Sequence, residues 1–326
     1  MTFHRLRVFS GNAHPELAVS ICRELGLELA EAVIGRFSDG EIDIKVNTDV
    51  RGADCFVVQP ACPPVNENLI ELLLMIDCLR RASADRITAV MPYFGYARKD
   101  RKDEGRVPIS AKLIANMITC AGANRVLTVD LHAAQIQGFF DIPVDHLFAR
   151  QAFLPVLREL ELENLVVVSP DVGGTKLCRA YSKDLHAGLA IVDKRRISGT
   201  ETIVEHLVGE VDGKVCLIVD DLISTGGSIS DAARVVQDNG AREVYLLATH
   251  GVLCGPAVER ISSSPAERIF LSDSIPLSKD NVPERTQVVS LAPMLAKAID
   301  SIHRSESVSR LFDSQYHVGE DEEDVR

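Results

Sequence analysis

Val219-Asp220-Asp221-Leu222-Ile223-Ser224-Thr225-Gly226-Gly227-Ser228 joins the end of an apolar strand, two adjacent carboxylates, a short glycine loop and the start of a helix. Residues 214–219 read as a short buried strand, and residues 229–239 repeat apolar side chains at helical spacing until Gly240 stops them. The loop therefore sits at a helix N-terminus. Free backbone N–H groups and the positive end of the helix dipole can hold a phosphate there, with Gly226 and Gly227 allowing close approach and Thr225 and Ser228 adding hydroxyls. Asp220 and Asp221, at the carboxyl end of the strand, are placed to accept hydrogen bonds from sugar hydroxyls. A plain strand-to-helix turn is the alternative, but turn chemistry alone does not require paired carboxylates beside four small residues.

Outward from this loop, strand-like and helix-like stretches alternate, which predicts an α/β protein with mostly parallel sheets and helices on both faces. The first half reads as strand 54–60, helix 66–82, strand 86–91, helix 110–121 and strand 124–129, ending at Asp130-Leu131-His132. The second reads as strand 164–169, helix 174–183, strand 188–192 and strand 214–219. Each half thus reaches an acidic residue after a strand, as an internal duplication with a boundary near residue 148 would. The expected division is 1–147, 148–313 and an acidic tail, 314–326. A last helix over 291–302 could pack back on the first domain.

At 326 residues the chain accommodates two α/β domains. No apolar run approaches the roughly 20 residues of a membrane span, and Met1 to Arg7 lacks the apolar stretch of a signal peptide, so the expectation is a cytoplasmic protein without membrane partners. The net charge of −12 argues against a nucleic-acid surface. Eight scattered cysteines without a C-x-x-C pair read as reduced core residues.

An acidic chain that binds an anion needs local cations. Arg98-Lys99-Asp100-Arg101-Lys102, flanked by Tyr93, Phe94 and Tyr96, can grip a polyphosphate and offer a ring to a purine, or can be a solvated charged loop. Lys194-Arg195-Arg196, entering the Ser/Gly/Thr stretch 197–202, has the composition of a mobile loop that closes over substrate, or of a surface turn. His132 and Asp171, each following a strand, suit a Mg²⁺ that keeps several waters and is otherwise held by substrate phosphates; a structural histidine is the plainer reading.

Together with Phe37-Ser38-Asp39-Gly40-Glu41, Met91 to Lys102, Asp130 to Phe140, Ser169-Pro170-Asp171 and Asp193 to Arg196, the opening loop resembles the motif series of the ribose-phosphate pyrophosphokinases, also called phosphoribosyl pyrophosphate synthetases. The resemblance runs in order from about Phe9 to Phe312. It implies two tandem type I phosphoribosyltransferase-like domains and the reaction of ATP with ribose 5-phosphate to give 5-phosphoribosyl 1-pyrophosphate and AMP. Carried over residue by residue, it implies ATP contacts from Phe37, Asp39, Glu41, Arg98 and Lys99, and Mg²⁺ ligation by His132 and Asp171. Ribose 5-phosphate would be held by Asp220, Asp221, Ser224, Thr225, Gly226, Gly227 and Ser228, with Arg196 also touching it. Lys194 and Arg196 would be the catalytic cations. The resemblance further implies a homohexamer, with inorganic phosphate as an activator at a site that includes Ser307 and Ser309.

Some positions depart from the family pattern. Ser224 stands where Asp is usual, Lys99 where Gln is common and Ala134 where Asp is frequent, so the pocket is expected to attract anions more strongly. Residues 103–106, Asp-Glu-Gly-Arg, replace a segment that is often more basic, which leaves ADP inhibition open. Two other readings stay in view: a non-catalytic relative that binds nucleotide or sugar phosphate, and a phosphoribosyltransferase. The first would be free to lose Lys194, Arg196 or the metal ligands; the second would not need residues 37–41 or 98–102.

Overall fold

A computed structural model describes residues 5–196 and 203–308; the 197–202 stretch, Ser309, the acidic tail and the side chains of Lys194 and Arg196 lie outside the described residues. The first half contains β1 (Leu6–Ser10), α1 (Pro15–Leu25), β2 (Ala32–Arg36), β3 (Ile42–Val46), β4 (Asp54–Val58), α2 (Val65–Arg81), β5 (Arg86–Met91), α3 (Ser110–Ala121), β6 (Arg125–Val129) and β7 (Val144–Leu147). The second contains α4 (Arg150–Arg158), β8 (Leu165–Ser169), α5 (Thr175–Asp184), β9 (Gly188–Arg196), β10 (Ile203–Val208), β11 (Val215–Ile223), α6 (Gly227–Asp238), β12 (Glu243–Gly251), α7 (Ala257–Ser262), β13 (Arg268–Ser272), β14 (Thr286–Val289) and α8 (Ala292–His303).

Two large sheets result, ordered β1-β4-β5-β6-β7 and β10-β9-β8-β11-β12-β13-β14. All pairings in them are parallel except β9 with β10, so the expected α/β class is borne out. The strands are apolar on both faces because both are covered. Phe56 and Val58 of β4 join a core that also contains Leu217, Val219 and Phe270 of the second sheet. Cys55 and Val57, one residue out of phase, join a second core beneath α2 and α3. The two-residue period divides β11 likewise: Cys216 and Ile218 pack with Ile229 and Val236 of α6. Between the sheets lie side chains of α1, α4, α5 and α8, and α8 packs directly on α1.

Several boundaries differ from the sequence reading. β11 runs to Ile223, so Asp220 and Asp221 are inside the strand instead of beyond it; pairing with β12, continued as far as Ile223 opposite Gly251, prolongs it past the apolar run. β9 extends to Arg196 because β10 pairs antiparallel along it, which places Lys194 and Arg196 on a strand arm instead of in a loop. The antiparallel pair β2 and β3 was not foreseen. Of the cysteines, Cys22, Cys55, Cys62, Cys178 and Cys216 are buried as expected, whereas Cys120 and Cys254 are exposed.

Candidate functional site

The site lies where the carboxyl ends of the parallel strands of the two sheets face each other, the usual ligand position in open α/β sheets. From the first half, β6 delivers Asp130, Leu131 and His132, and the segment after β5 delivers Tyr93 and Arg98. From the second, β11 delivers Asp221 and the glycine loop. Tyr93, Arg98, Asp130, Leu131, His132 and Asp221 line one small cavity with Phe94, Ala97, Leu222 and His250. Two of the hydrogen bonds that cross between the halves meet here: His132 Nδ1 to Asp221 Oδ2 at 2.7 Å and Arg98 Nη1 to Ser224 Oγ at 3.4 Å.

The glycine loop is shaped for an anion. Gly226 has φ of +73°, and a Cβ there would stand 3.1 Å from the Ala257 carbonyl oxygen, so both torsion and space demand glycine. Helix α6 starts at Gly227 with no side-chain cap, leaving its first N–H groups directed outward from the loop. Behind the loop, Arg260 Nη1 donates to the Thr225 carbonyl at 3.2 Å, and Cys254 N donates to the Ser224 carbonyl at 2.9 Å. Thr225 and Ser228 are exposed at its mouth.

Charges are unevenly shared. Burial, reinforced by the charge of Asp221, pushes the Asp220 carboxyl well above the usual range. Burial acts on Asp221 too, but the hydrogen bond and charge of His132 outweigh it and hold Asp221 low. The bond to Asp221 correspondingly raises His132. Burial thus favours the protonated form of Asp220, while the bond to His132 favours the charged form of Asp221.

Asp171 follows β8 and is an electrostatic neighbour of Asp220; its Oδ1 accepts the Gly174 N–H at 2.9 Å, leaving Oδ2 directed elsewhere. No group of three or more His, Cys, Asp or Glu side chains able to hold a metal gathers among the described residues. His132 and Asp171 by themselves do not make an all-protein cage, so an ion held by them would be bound chiefly by water and phosphate.

The basic loop is less open than its composition suggested. Lys99 Nζ is paired with Asp103 at 2.9 Å, and Asp100 accepts from Gln135 Nε2 at 2.7 Å. Tyr93 packs at a tilt against His250 with ring centroids 5.0 Å apart, and Phe94 meets Phe140 edge-on at 5.7 Å, so each ring already has an aromatic neighbour. Tyr96 is exposed, and its hydroxyl bonds Asn66 at the start of α2. Phe37, Asp39 and Glu41 form the tight turn between β2 and β3, where Phe37 N donates to the Glu41 carbonyl and Phe37 is 54% exposed. That turn is tied to α2 through Arg36 and Glu67; among the described residues no hydrogen bond or ion pair joins it to Arg98 or Lys99. Ser307 is exposed after α8.

Sequence profiles identify what this arrangement belongs to. The N-terminal domain of ribose phosphate pyrophosphokinase matches residues 6–122, and the phosphoribosyl synthetase-associated domain matches residues 197–313. The ribose-phosphate pyrophosphokinase of Rhodopirellula baltica is 55% identical over 310 residues, 94% of this chain and 98% of the relative. The chain belongs to the ribose-phosphate pyrophosphokinase family. The enzyme of that name from Thermosipho africanus is 50% identical over 311 residues, covering 95% of this chain and 98% of its own. The crystal structure of phosphoribosylpyrophosphate synthetase from Mycobacterium smegmatis superposes with a TM-score of 0.88 at 40% identity, covering 92% and 99% of the two chains. The α/β architecture described above is therefore that of a family of enzymes, transferases of the kinase type that serve nucleotide biosynthesis.

Within this pyrophosphokinase framework the sequence reading missed Thr249, His250 and Arg260. The signal for the first two was present: Ala248-Thr249-His250-Gly251 ends an apolar strand with two polar side chains, as Asp220-Asp221 does.

Proposed function

We propose that the chain transfers the β,γ-pyrophosphoryl group of Mg-ATP to the C1 hydroxyl of ribose 5-phosphate, giving 5-phosphoribosyl 1-pyrophosphate and AMP. The observation that carries this reading is the pair of cross-half bonds, His132 to Asp221 and Arg98 to Ser224, which set a polyphosphate-binding segment against a sugar-phosphate loop. The α6 N-terminus with Gly226, Gly227, Thr225 and Ser228 holds the 5-phosphate. Asp220 and Asp221 accept the ribose hydroxyls. Arg98 and Lys99 take the ATP phosphates, Lys99 by leaving Asp103. Phe37, Asp39 and Glu41, on their exposed turn, contribute the nucleotide-base end of the site.

Phosphoryl-type transfer leaves little covalent work to the protein, so the chain acts by alignment and by neutralising charge on the oxygens, with Lys194 and Arg196 in that role. His132 and Asp171 would hold Mg²⁺, which when bound supplies further neutralisation of the phosphate oxygens. Inorganic phosphate is proposed as an activator near Ser307 and Ser309, the working form as a homohexamer, and the location as cytoplasmic; among the described residues no helix is long and apolar enough to cross a membrane.

Purified protein given Mg²⁺, ATP, ribose 5-phosphate and inorganic phosphate is expected to release AMP in step with the pyrophosphorylated sugar. Stoichiometric ADP instead would sink pyrophosphoryl transfer in favour of γ-phosphate transfer. No turnover, with ATP and ribose 5-phosphate both bound, would favour the non-catalytic reading.

A further inference from the structure

The peptide that presents His132 is held in a disfavoured shape. Asp130 has φ of +37°, outside the range a non-glycine residue takes without support, and a carboxylate side chain that is 6% exposed. Such a conformation persists only where its surroundings over-determine it. The surroundings here are explicit. From the first half, Asp130 N donates to the Leu147 carbonyl at 3.0 Å, and Leu131 N donates to His146 Nε2 at 2.9 Å. Two further partners come across the interface from β12. Thr249 Oγ1 donates to Asp130 Oδ2 at 2.6 Å, beside the Ala149 N–H at 3.2 Å. His250 Nε2 meets the Asp130 carbonyl at 3.1 Å.

That carbonyl can only accept, so the Nε2 of His250 carries a proton, and Nδ1 lies 2.9 Å from Ser274 Oγ, whose hydroxyl also reaches the Thr249 carbonyl at 3.1 Å. Ser272 Oγ in turn holds the Thr249 carbonyl at 2.6 Å. Thr249 and His250 are both buried and are themselves fixed by β13 and the residues after it. His250 also carries the Tyr93 ring on the segment that leads to Arg98.

We propose that Thr249 and His250 are positioning residues for His132: from the second sheet they clamp the strained Asp130 peptide of the first, and so fix how His132 meets Asp221. The clamp rests on geometry alone, while its catalytic consequence rests on the pyrophosphokinase reading above. His132 has Asp221 as its hydrogen-bond partner, and a ring two residues beyond a positive-φ hinge would turn away if that hinge relaxed to ordinary torsions.

The test replaces Thr249 by Val, which keeps the shape and removes the hydroxyl, and by Ser, which restores it. His132 is followed through the ring resonances of ¹⁵N-histidine-labelled protein, assigned by their loss in His132→Gln. In Thr249→Val the His132 resonances are expected to shift or broaden, and kcat to fall roughly ten- to a hundredfold while KM for ribose 5-phosphate stays within about twofold. Thr249→Ser is expected to recover both. Unmoved His132 resonances in Thr249→Val would overturn the clamp, as would a kcat loss that Ser does not recover. Should Thr249→Val not fold, His250→Phe keeps a ring against Tyr93 and removes the Nε2 donor, and the same shift of His132 is expected, with no shift overturning the proposal. Wild-type protein that forms no AMP would defeat the proposed reaction but leave the resonance test standing.

Discussion

At the scale of single residues, the phosphate loop and the histidines make the sharpest demands. Gly226→Ala introduces a side chain at φ of +73° and 3.1 Å from the Ala257 carbonyl oxygen, so the loop must move to accept it. Strain of this kind costs ~1–3 kcal/mol, small beside a whole core but concentrated on the anion-binding turn. The expected result is a KM for ribose 5-phosphate raised at least about tenfold with a modest fall in thermal midpoint, measured by initial rates and calorimetry; an unchanged KM would remove this loop from sugar-phosphate binding. His146 makes a different demand. Burial lowers its pKa from 6.5 to about 4, and its Nε2 accepts the Leu131 N–H, which a protonated nitrogen cannot do. The unfolded chain therefore takes up the proton first as pH falls, and the stability due to neutral His146 is complete above about 6.5 and lost between there and about 4. His14 and His250 are lowered by burial as well and add to the slope with the same sign. Gln at 146 keeps an acceptor without titrating, so the urea midpoint of His146→Gln should fall less than that of wild type from pH 7 to pH 4.5; parallel curves would show that His146 contributes nothing to acid sensitivity. Asp220-Asp221 and the glycines could be named from their order along the chain and His132 from the family resemblance, and the structure sets His132 against Asp221. Thr249 and His250 could not be so named, since a Thr and a His at a strand end gain meaning only from what the opposite sheet places before them.

At the scale of elements, the strands were legible where burial alone decides them and were misjudged where pairing decides them. The runs 54–58, 86–91 and 125–129 are mostly apolar after a charged first residue, and β4, β5 and β6 lie within or on the expected bounds. β9 is the contrary case: its last residues are Lys194, Arg195 and Arg196, polar enough to read as loop, yet they pair with Glu205, Val204 and Ile203 of β10. The exchange of backbone hydrogen bonds with an antiparallel neighbour extends a strand without any apolar signal. The β2–β3 turn escaped for a related reason, since Phe37 to Glu41 advertises its acidic and aromatic chemistry but not the hairpin that displays it. If Lys194 neutralises charge on the reacting phosphates as proposed, its contribution belongs to the transition state more than to initial binding. Lys194→Ala is accordingly expected to lower kcat by about a hundredfold or more while changing KM for ATP and ribose 5-phosphate only about twofold, in steady-state assays of AMP formation. A raised KM with kcat intact would make Lys194 a ground-state binding residue.

At the scale of the molecule, the two sheets are separate in hydrogen bonding but not in packing. One core joins Val8, Phe56 and Leu127 of the first sheet to Leu217, Leu247 and Phe270 of the second through α1, α4, α5 and α8. Helix α8 is pinned at both ends. Asp273, after β13, accepts from Ser290 and from Leu291 N at the start of the helix, and its carbonyl meets His14 Nε2 of the first half at 3.0 Å. At the other end, Arg86 Nη2 donates to the Ile302 carbonyl at 2.8 Å, and Asp54, with its side chain 3% exposed, sits between Arg86 and His303. Sequence could suggest a returning last helix but not this clasp, because its partners are more than two hundred residues apart. Removing one side of a buried ion pair costs ~3–5 kcal/mol, and here would leave the Asp54 carboxylate with His303 alone. Arg86→Met should therefore destabilise the protein by about that amount, and the shared core dictates where the loss is felt. Hydrogen exchange read by mass spectrometry under native conditions should lose protection in β4 of the first sheet and in β11 of the second together, each by roughly a hundredfold or more, since every 1.4 kcal/mol is a factor of ten. A loss confined to β4, with β11 as protected as in wild type, would mean that the halves unfold independently and that α8 does not weld them.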